Sequence, residues 1–263
     1  MEGVHLEIQP QPDDTTCGPT CLHAVYGYFG DHVPLPQVIA DSVALEEGGT
    51  LAPLLGCHAL SRGYRATVFT YNLRVFDPSW FFAGAASLGE KLTAQMAVKT
   101  DPKLILACQA YLDFVRLGGK ILMEDLTRGL IRRYLNRGIP ILAGLSSTFL
   151  YRSPREFGPR SDPDDIRGVP QGHFVVLCGY DRDSKTVRIA DPYLPNPIAP
   201  LDHYYEVDVD RVVCAILLGT LTYDANLLIL EPAPKLAPGR AEQQRRAGHE
   251  PPQATLPLSN RTS

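Results

Sequence analysis

A chain of 263 residues with 44% hydrophobic side chains is long enough for one sizeable core and too apolar for a disordered polypeptide. Its charges nearly balance, 25 basic against 29 acidic for a formal net charge of -4, so nothing calls for a nucleic acid or an anionic lipid as partner. The start, MEGVHLEIQPQPDD, has no secretory pattern, and the most apolar stretches, 140–145 and 212–219, fall well short of the roughly 18 residues a membrane span needs; cytoplasmic residence is the expectation.

In chain order, helices are expected over residues 16–28, 35–45 and 51–62. In the first, Leu22, Val25, Tyr26 and Phe29 recur at helical spacing and Gly30 ends it; Gly63 stops the third. Residues 64–71 (YRATVFTY) alternate and suit a strand. The middle, 87–137, reads as an enlarged helical section. It has helices at 87–98 and 102–117, a short strand at 120–123, and a helix capped by Asp125 or Thr127 that ends at Arg137-Gly138. Strands follow at 139–146, 173–180 and 186–190, the last two joined by the turn DRDSK, then a helix at 208–218 and a strand at 226–231. Helices first and a mostly antiparallel sheet afterwards is an α+β order. Two stretches stand apart. Residues 151–171 hold four prolines, two glycines and mixed charge without any period, which reads as a long functional loop. Residues 232–263 are rich in Pro, Ala, Arg and Gln and read as a disordered tail after a domain spanning 1–231.

Six cysteines, at 17, 21, 57, 108, 178 and 214, are scattered; Cys108, Cys178 and Cys214 lie in apolar runs. No pair has CxxC spacing, which argues against zinc and against a disulfide framework. Cys17 differs from the rest. It sits in DDTTCGPTC, where turn-forming residues give way to the first helix; there, unpaired backbone N–H groups and the positive end of the dipole favour the reactive thiolate. Pro19 suits the first helical turn, and Gly18 permits a close approach to the backbone. Cys21, one turn on, is either a core residue or a resolving thiol.

His173 opens the strand GHFVVLCGY as its one polar side chain, at the end of a buried element beside the long loop. Asp191 ends the next strand directly before Pro192. If the two strands pair as a hairpin, carboxylate and imidazole meet, the arrangement that fixes a tautomer and stabilises the charged ring. Gln11, six residues before Cys17, offers an amide N–H for an oxyanion, with Gln9 as competitor.

At these residues the chain resembles the papain-like cysteine peptidases of the bacteriocin-leader-processing type, and more closely the free-standing peptidase C39-like proteins. The resemblance rests on Gln11, the Cys17-Gly18-Pro19 string, His173-Phe174-Val175-Val176 and Asp191-Pro192, in that order. It implies a papain-like fold with Cys17 as nucleophile, His173 as general acid/base, Asp191 as orienting carboxylate and Gln11 as oxyanion donor, working without a cofactor on a peptide or peptide-like substrate. It leaves open a hydrolase that cuts a peptide or isopeptide bond, an acyl- or peptidyl-transferase using the same site, or a catalytically silent binding domain. The helical middle and the loop 151–171 exceed the compact transporter-linked members, so double-glycine leader cleavage does not carry over.

Overall fold

A computed structural model of the protein describes residues 2–233, apart from 46, 47, 83 and 85. The described residues up to Pro232 form one compact unit. Beyond its first two residues, the expected tail lies outside the described residues. Pro232 itself belongs to the last strand, paired with Tyr64, so the domain runs one residue further than the composition suggested.

The first half supplies helices α1 (Cys17–Tyr28), α2 (Leu35–Asp41), α3 (Ala52–Ser61), α4 (Leu88–Val98) and α5 (Pro102–Arg116). Strands β1 (Glu2–Gly3), β2 (Tyr64–Thr70) and β3 (Lys120–Leu122) lie before, among and after them. The second half runs α6 (Arg128–Leu135), β4 (Ile141–Ser146), α7 (Ser147–Tyr151), β5 (Glu156–Phe157), β6 (Asp162–Pro163), β7 (Gly172–Asp181), β8 (Thr186–Ala190), β9 (Tyr204–Asp208), α8 (Val209–Leu218) and β10 (Asn226–Pro232). The main sheet has the order β3-β2-β10-β4-β7-β8-β9, with β1 attached to β7. Its pairings are antiparallel except for β2 with β3. The α+β architecture, helices first and a mostly antiparallel sheet after them, is therefore observed.

Both faces of this sheet are covered, which explains why its central strands read as unbroken apolar runs and not as alternations. Ala66, Val68, Leu142, Phe174, Val176 and Leu228 pack on the α1, α3 and α5 side. Their strand neighbours Phe69, Ile141, Ala143, Val175, Leu177 and Leu227 pack with Leu130, Ile131, Val212 and Ile216 from α6 and α8. Helix starts follow local chemistry. Thr127, not Asp125, caps α6, accepting a bond from the Leu130 N–H at 3.1 Å; Asp101 caps α5; Asp208 caps α8. Ser87 and Glu90 form a reciprocal capping box at the start of α4.

Three expectations need correction. The second helix stops at Asp41 and not at residue 45. The segment 204–208 is a strand that lay unassigned; at the sheet edge its burial alternates, and only five residues carry the pattern. The stretch 151–171 is not structureless. It begins with the last residue of the short helix α7 and contains the two-residue strands β5 and β6, paired to each other, with Glu156 bridged to Val169.

The helix that carries Cys17 lies against the sheet through Gly18. A Cβ there would stand 2.6 Å from Thr50 Cγ2, 3.2 Å from Leu55 Cδ1 and 3.3 Å from Phe174 Cδ2. Gly18→Ala is therefore expected to destabilise the fold by about 1–3 kcal/mol through overpacking. Adding Thr50→Ser, which deletes the clashing methyl and keeps the hydroxyl bonded to the Val43 carbonyl, should restore most of that loss. Denaturant midpoints of the two variants check this; equal losses in both would show that Thr50 is not the obstacle.

Candidate active site

The site is built where the start of α1 meets the start of β7. Cys17 is the first residue of α1 and only 8% exposed. Thr16, at the cap position, makes no capping bond; its hydroxyl donates instead to the Asp13 carbonyl at 3.1 Å. The first N–H groups of the helix thus have no side-chain acceptor, leaving donors at the sulfur's own position. One turn on, the Cys21 thiol donates to the Phe174 carbonyl at 3.2 Å and is fully buried. Burial, then the charges of Cys17 and Asp191, push that thiol well above the ordinary cysteine range. Cys21 therefore ties α1 to β7 in the core and is not an accessible resolving thiol.

His173 is the second residue of β7, facing Leu145 of β4 in register, and it is buried. Antiparallel pairing of β7 with β8, with Val176 opposite Ala190, brings Asp191 beside it. His173 Nε2 and Asp191 Oδ1 are 2.9 Å apart. Cys17 acts on the same ring through its charge, and with Nε2 held by Asp191, Nδ1 is the nitrogen left to face the sulfur.

Asp191 has no solvent exposure, a costly position for a charge unless its oxygens are satisfied. Four donors converge on it. His173 Nε2 and the Tyr193 backbone N–H, both at 2.9 Å, reach Oδ1; the Tyr151 and Tyr205 hydroxyls donate to Oδ2 at 2.8 and 2.5 Å. Its backbone is held as well, with the N–H donating to the His203 carbonyl at 2.8 Å and the carbonyl 2.6 Å from His203 Nδ1. Burial alone would neutralise both partners. It acts to lower the imidazole and raise the carboxyl, but the charges of Asp191 and Cys17 reverse the first, pushing His173 up to about 10. The charge of His173, its hydrogen bond and that from Tyr205 reverse the second, holding Asp191 below the usual carboxylate range. The arrangement favours an imidazolium facing a carboxylate.

His173 lines a cleft of about 340 Å³ together with Gln11, Ser147, Tyr151, Gln171 and Tyr193. Gln11 is anchored there by its N–H donating to the Pro192 carbonyl at 2.9 Å; its side-chain amide donates to the Asp13 carbonyl at 2.9 Å, and its Oε1 is buried without a partner. Gln9 lies instead along a separate groove of about 740 Å³ with Glu7 and His23. The structure thus brings Gln11, not Gln9, to the cleft that His173 lines. Glu156, Arg160 and Pro163, from the hairpin β5–β6 and its turn, form another wall. The segment that carries this hairpin is closed at its base, where the Ser147 N–H donates to the Gln171 carbonyl at 3.0 Å and the Gln171 N–H donates to Thr148 Oγ1 at 2.9 Å.

Tyr151 and Tyr205 escaped the sequence reading. Tyr205 is an apolar-looking position in an unassigned edge strand, and Tyr151 opens the aperiodic stretch; neither carries a local signal that it will meet a residue 40 or 14 positions away. Their phenols make a testable contribution. Tyr205→Phe removes a charge-assisted bond to a buried carboxylate and should cost about 1.5–3 kcal/mol at neutral pH. Because the folded carboxyl of Asp191 titrates below its unfolded value of 3.8, that stability is complete above this value and is lost as pH falls through the folded one. The deficit of Tyr205→Phe against wild type, read from denaturant curves, should therefore shrink as pH falls below about 4. A deficit independent of pH would mean that the hydroxyl does not serve the carboxylate.

Several solved structures are similar to the chain. They include the peptidase domain of Streptococcus ComA, a bifunctional ABC transporter involved in quorum sensing, at 15% identity and a TM-score of 0.40, covering 87% of this chain and 100% of that one. Xylellain, a cysteine protease from Xylella fastidiosa, is 15% identical with a TM-score of 0.42, covering 89% of this chain and 87% of its own. Among curated proteins none matches the chain. The sequence model described as the Peptidase_C39 like family matches residues 3–204. The match takes in Gln11, Cys17, His173 and Asp191, and the chain belongs to this family of cysteine-peptidase-like proteins.

Proposed function

We propose that the protein is a thiol hydrolase that cleaves a peptide or isopeptide bond through a thioester on Cys17. The observation that carries this reading is the buried pair of His173 Nε2 and Asp191 Oδ1, 2.9 Å apart, whose ring also feels the charge of Cys17 at the start of α1. A chain of nucleophile, base and orienting carboxylate is what acyl transfer requires. Its position at an open cleft and family membership support the same reading.

In the proposed cycle the Cys17 sulfur attacks the scissile carbonyl, forming the C–S bond. The oxyanion draws on the Cys17 N–H and the Gln11 amide. The imidazolium of His173 gives its proton to the departing amine as the C–N bond breaks, leaving a thioester and a neutral ring. The ring then takes a proton from water as it attacks the thioester, and the acid leaves with the thiolate restored. Asp191, held by Tyr151, Tyr205 and the Tyr193 N–H, keeps the ring oriented throughout. For Gln11 to serve the oxyanion, its amide must use its second N–H or release the Asp13 carbonyl, to which it now donates.

The lining of the cleft favours polar substrates. Ser147, Ser153, Glu156, Arg160 and Gln171 contribute hydrogen-bonding groups, and among the described lining residues there is no Leu, Ile, Val or Phe. We take the hairpin β5–β6 as the part that selects substrate, while Tyr151, at the base of the same segment, serves the chemistry through Asp191. The same site would perform transfer if an amine replaced water.

The test is a panel of α-peptides, isopeptides and γ-linked glutamyl substrates, with and without an acceptor amine. It is assayed with wild type, Cys17→Ala and a variant shortened between Arg155 and Arg167, which spares Tyr151. Cys17→Ala should lose activity by at least about 10³-fold. The shortened hairpin should alter kcat/KM by different factors for different substrates while Cys17 remains alkylated at a near-normal rate. Equal losses on every substrate would make the hairpin a structural support and not a selector, and full activity of Cys17→Ala would end the thiol mechanism.

A further inference from the structure

One buried acid near the site has no part in the cycle above. Asp224 lies between the short 3-10 turn Gly219–Thr222 and β10, and it is 6% exposed. Its Oδ2 accepts a bond from the Thr222 hydroxyl at 2.6 Å, and its backbone N–H donates to the Gly219 carbonyl at 2.9 Å. The carboxyl sits directly over the Cα of Gly172, the residue before His173. A Cβ built at Gly172 would lie 1.9 Å from Asp224 Oδ2 and 2.8 Å from Thr222 Oγ1. The residues on both sides of Asp224, Tyr223 (φ 70°) and Ala225 (φ 27°), hold left-handed backbone conformations that side-chain-bearing residues rarely adopt. Two strained positions flank one buried carboxyl that the fold directs onto the strand end carrying the base.

We propose that Asp224 is a positioning residue for His173, which packs its carboxyl on Gly172 and adds negative charge behind the imidazolium. The inference rests on the reading of Cys17 and His173 as nucleophile and base. Its chemistry is electrostatic. A carboxylate that shares an electrostatic interaction with His173 favours the form in which the proton resides on the ring.

The groups around Asp224 decide when that charge is present. Burial is the largest influence and raises the carboxyl to about 7; the Thr222 hydroxyl, then the charges of His173 on β7 and Lys103 on α5, oppose it. From α5 the buried phenol of Tyr111 also senses the Asp224 charge, and Asp101 accepts the Tyr223 hydroxyl at 3.2 Å. From β4 the near neighbour is Gly144, which brings no charge. Asp224 is thus neutral in mild acid and charged in mild base, and the ion pair at the site gains support as pH rises through neutrality.

The experiment follows the His173 ring resonances by NMR from pH 5 to 9 for wild type, Asp224→Asn and Thr222→Val, with Cys17 alkylation by iodoacetamide, read by mass-mapped peptides, as the control for the site. Asparagine can keep the Thr222 bond and resembles the neutral acid at every pH. Wild type should show a step in the His173 ring resonances near pH 7, as Asp224 gains its charge while the ring stays protonated, and Asp224→Asn should match it below the step and lack the step itself. Thr222→Val, which removes the bond to the carboxylate, should move the step to higher pH; this arm decides the matter if Asp224→Asn fails to fold by its melting curve. Superimposable profiles for wild type and Asp224→Asn, or an unmoved step in Thr222→Val, would overturn the role of Asp224 and leave the thiol mechanism standing. A Cys17 that is not labelled in the wild type, or whose rate is unchanged by His173→Asn, would overturn both.

Discussion

The structure depends on one buried charge pair. Asp191 is taken wholly out of water, and an isolated carboxylate there would cost several kcal/mol. It remains charged because its donors arrive from four different places: β7 through His173, the residue after Pro192 through the Tyr193 N–H, α7 through Tyr151 and β9 through Tyr205. Each of those elements must be in place before the carboxylate is satisfied, so the assembly of the second half of the sheet and the assembly of the site are one event. Removing any one donor leaves a deficit in a low-dielectric interior, where hydrogen bonds to charge are worth most.

The site also joins the two halves of the domain. Cys17 belongs to the helical half and His173 to the sheet half. Their approach is set by the packing of α1 on β7, with Gly18 allowing close contact and Cys21 bonded to the Phe174 carbonyl next to His173. Two cysteines one helical turn apart therefore have different tasks, separated by where they fall on α1. The first lies at the open end of the helix, where no side chain caps the N–H groups. The second lies in the next turn, where burial suppresses its ionisation.

Much of this was legible in the sequence, for reasons that can be stated. Cys17 stands in a short string whose polar-to-apolar switch marks a helix start. His173 and Asp191 stand at the facing ends of two apolar runs separated by one turn, so hairpin pairing alone predicts their contact, and the observed register supplies it. Local pattern and short-range pairing carry such information. Tyr151, Tyr205 and Asp224 were not legible, since their importance comes from approach across the fold and each looks locally like a core aromatic or a turn acid. The edge strand β9 and the hairpin β5–β6 were missed for a related reason. Segments of two to five residues hold too few positions to express a period, and their pairing partners decide their state.

The central claim is that the His173 ring is held as an imidazolium between Asp191 and Cys17. The direct measurement is a nitrogen-15 NMR titration of the histidine side chains in wild type and Asp191→Asn, with His173 assigned by its loss in His173→Asn. The account predicts that the wild-type His173 ring stays protonated through neutrality and loses its proton only toward about pH 10, and that Asp191→Asn brings this well down. A wild-type His173 that is already neutral at pH 7, with a titration unaffected by Asp191→Asn, would contradict the account.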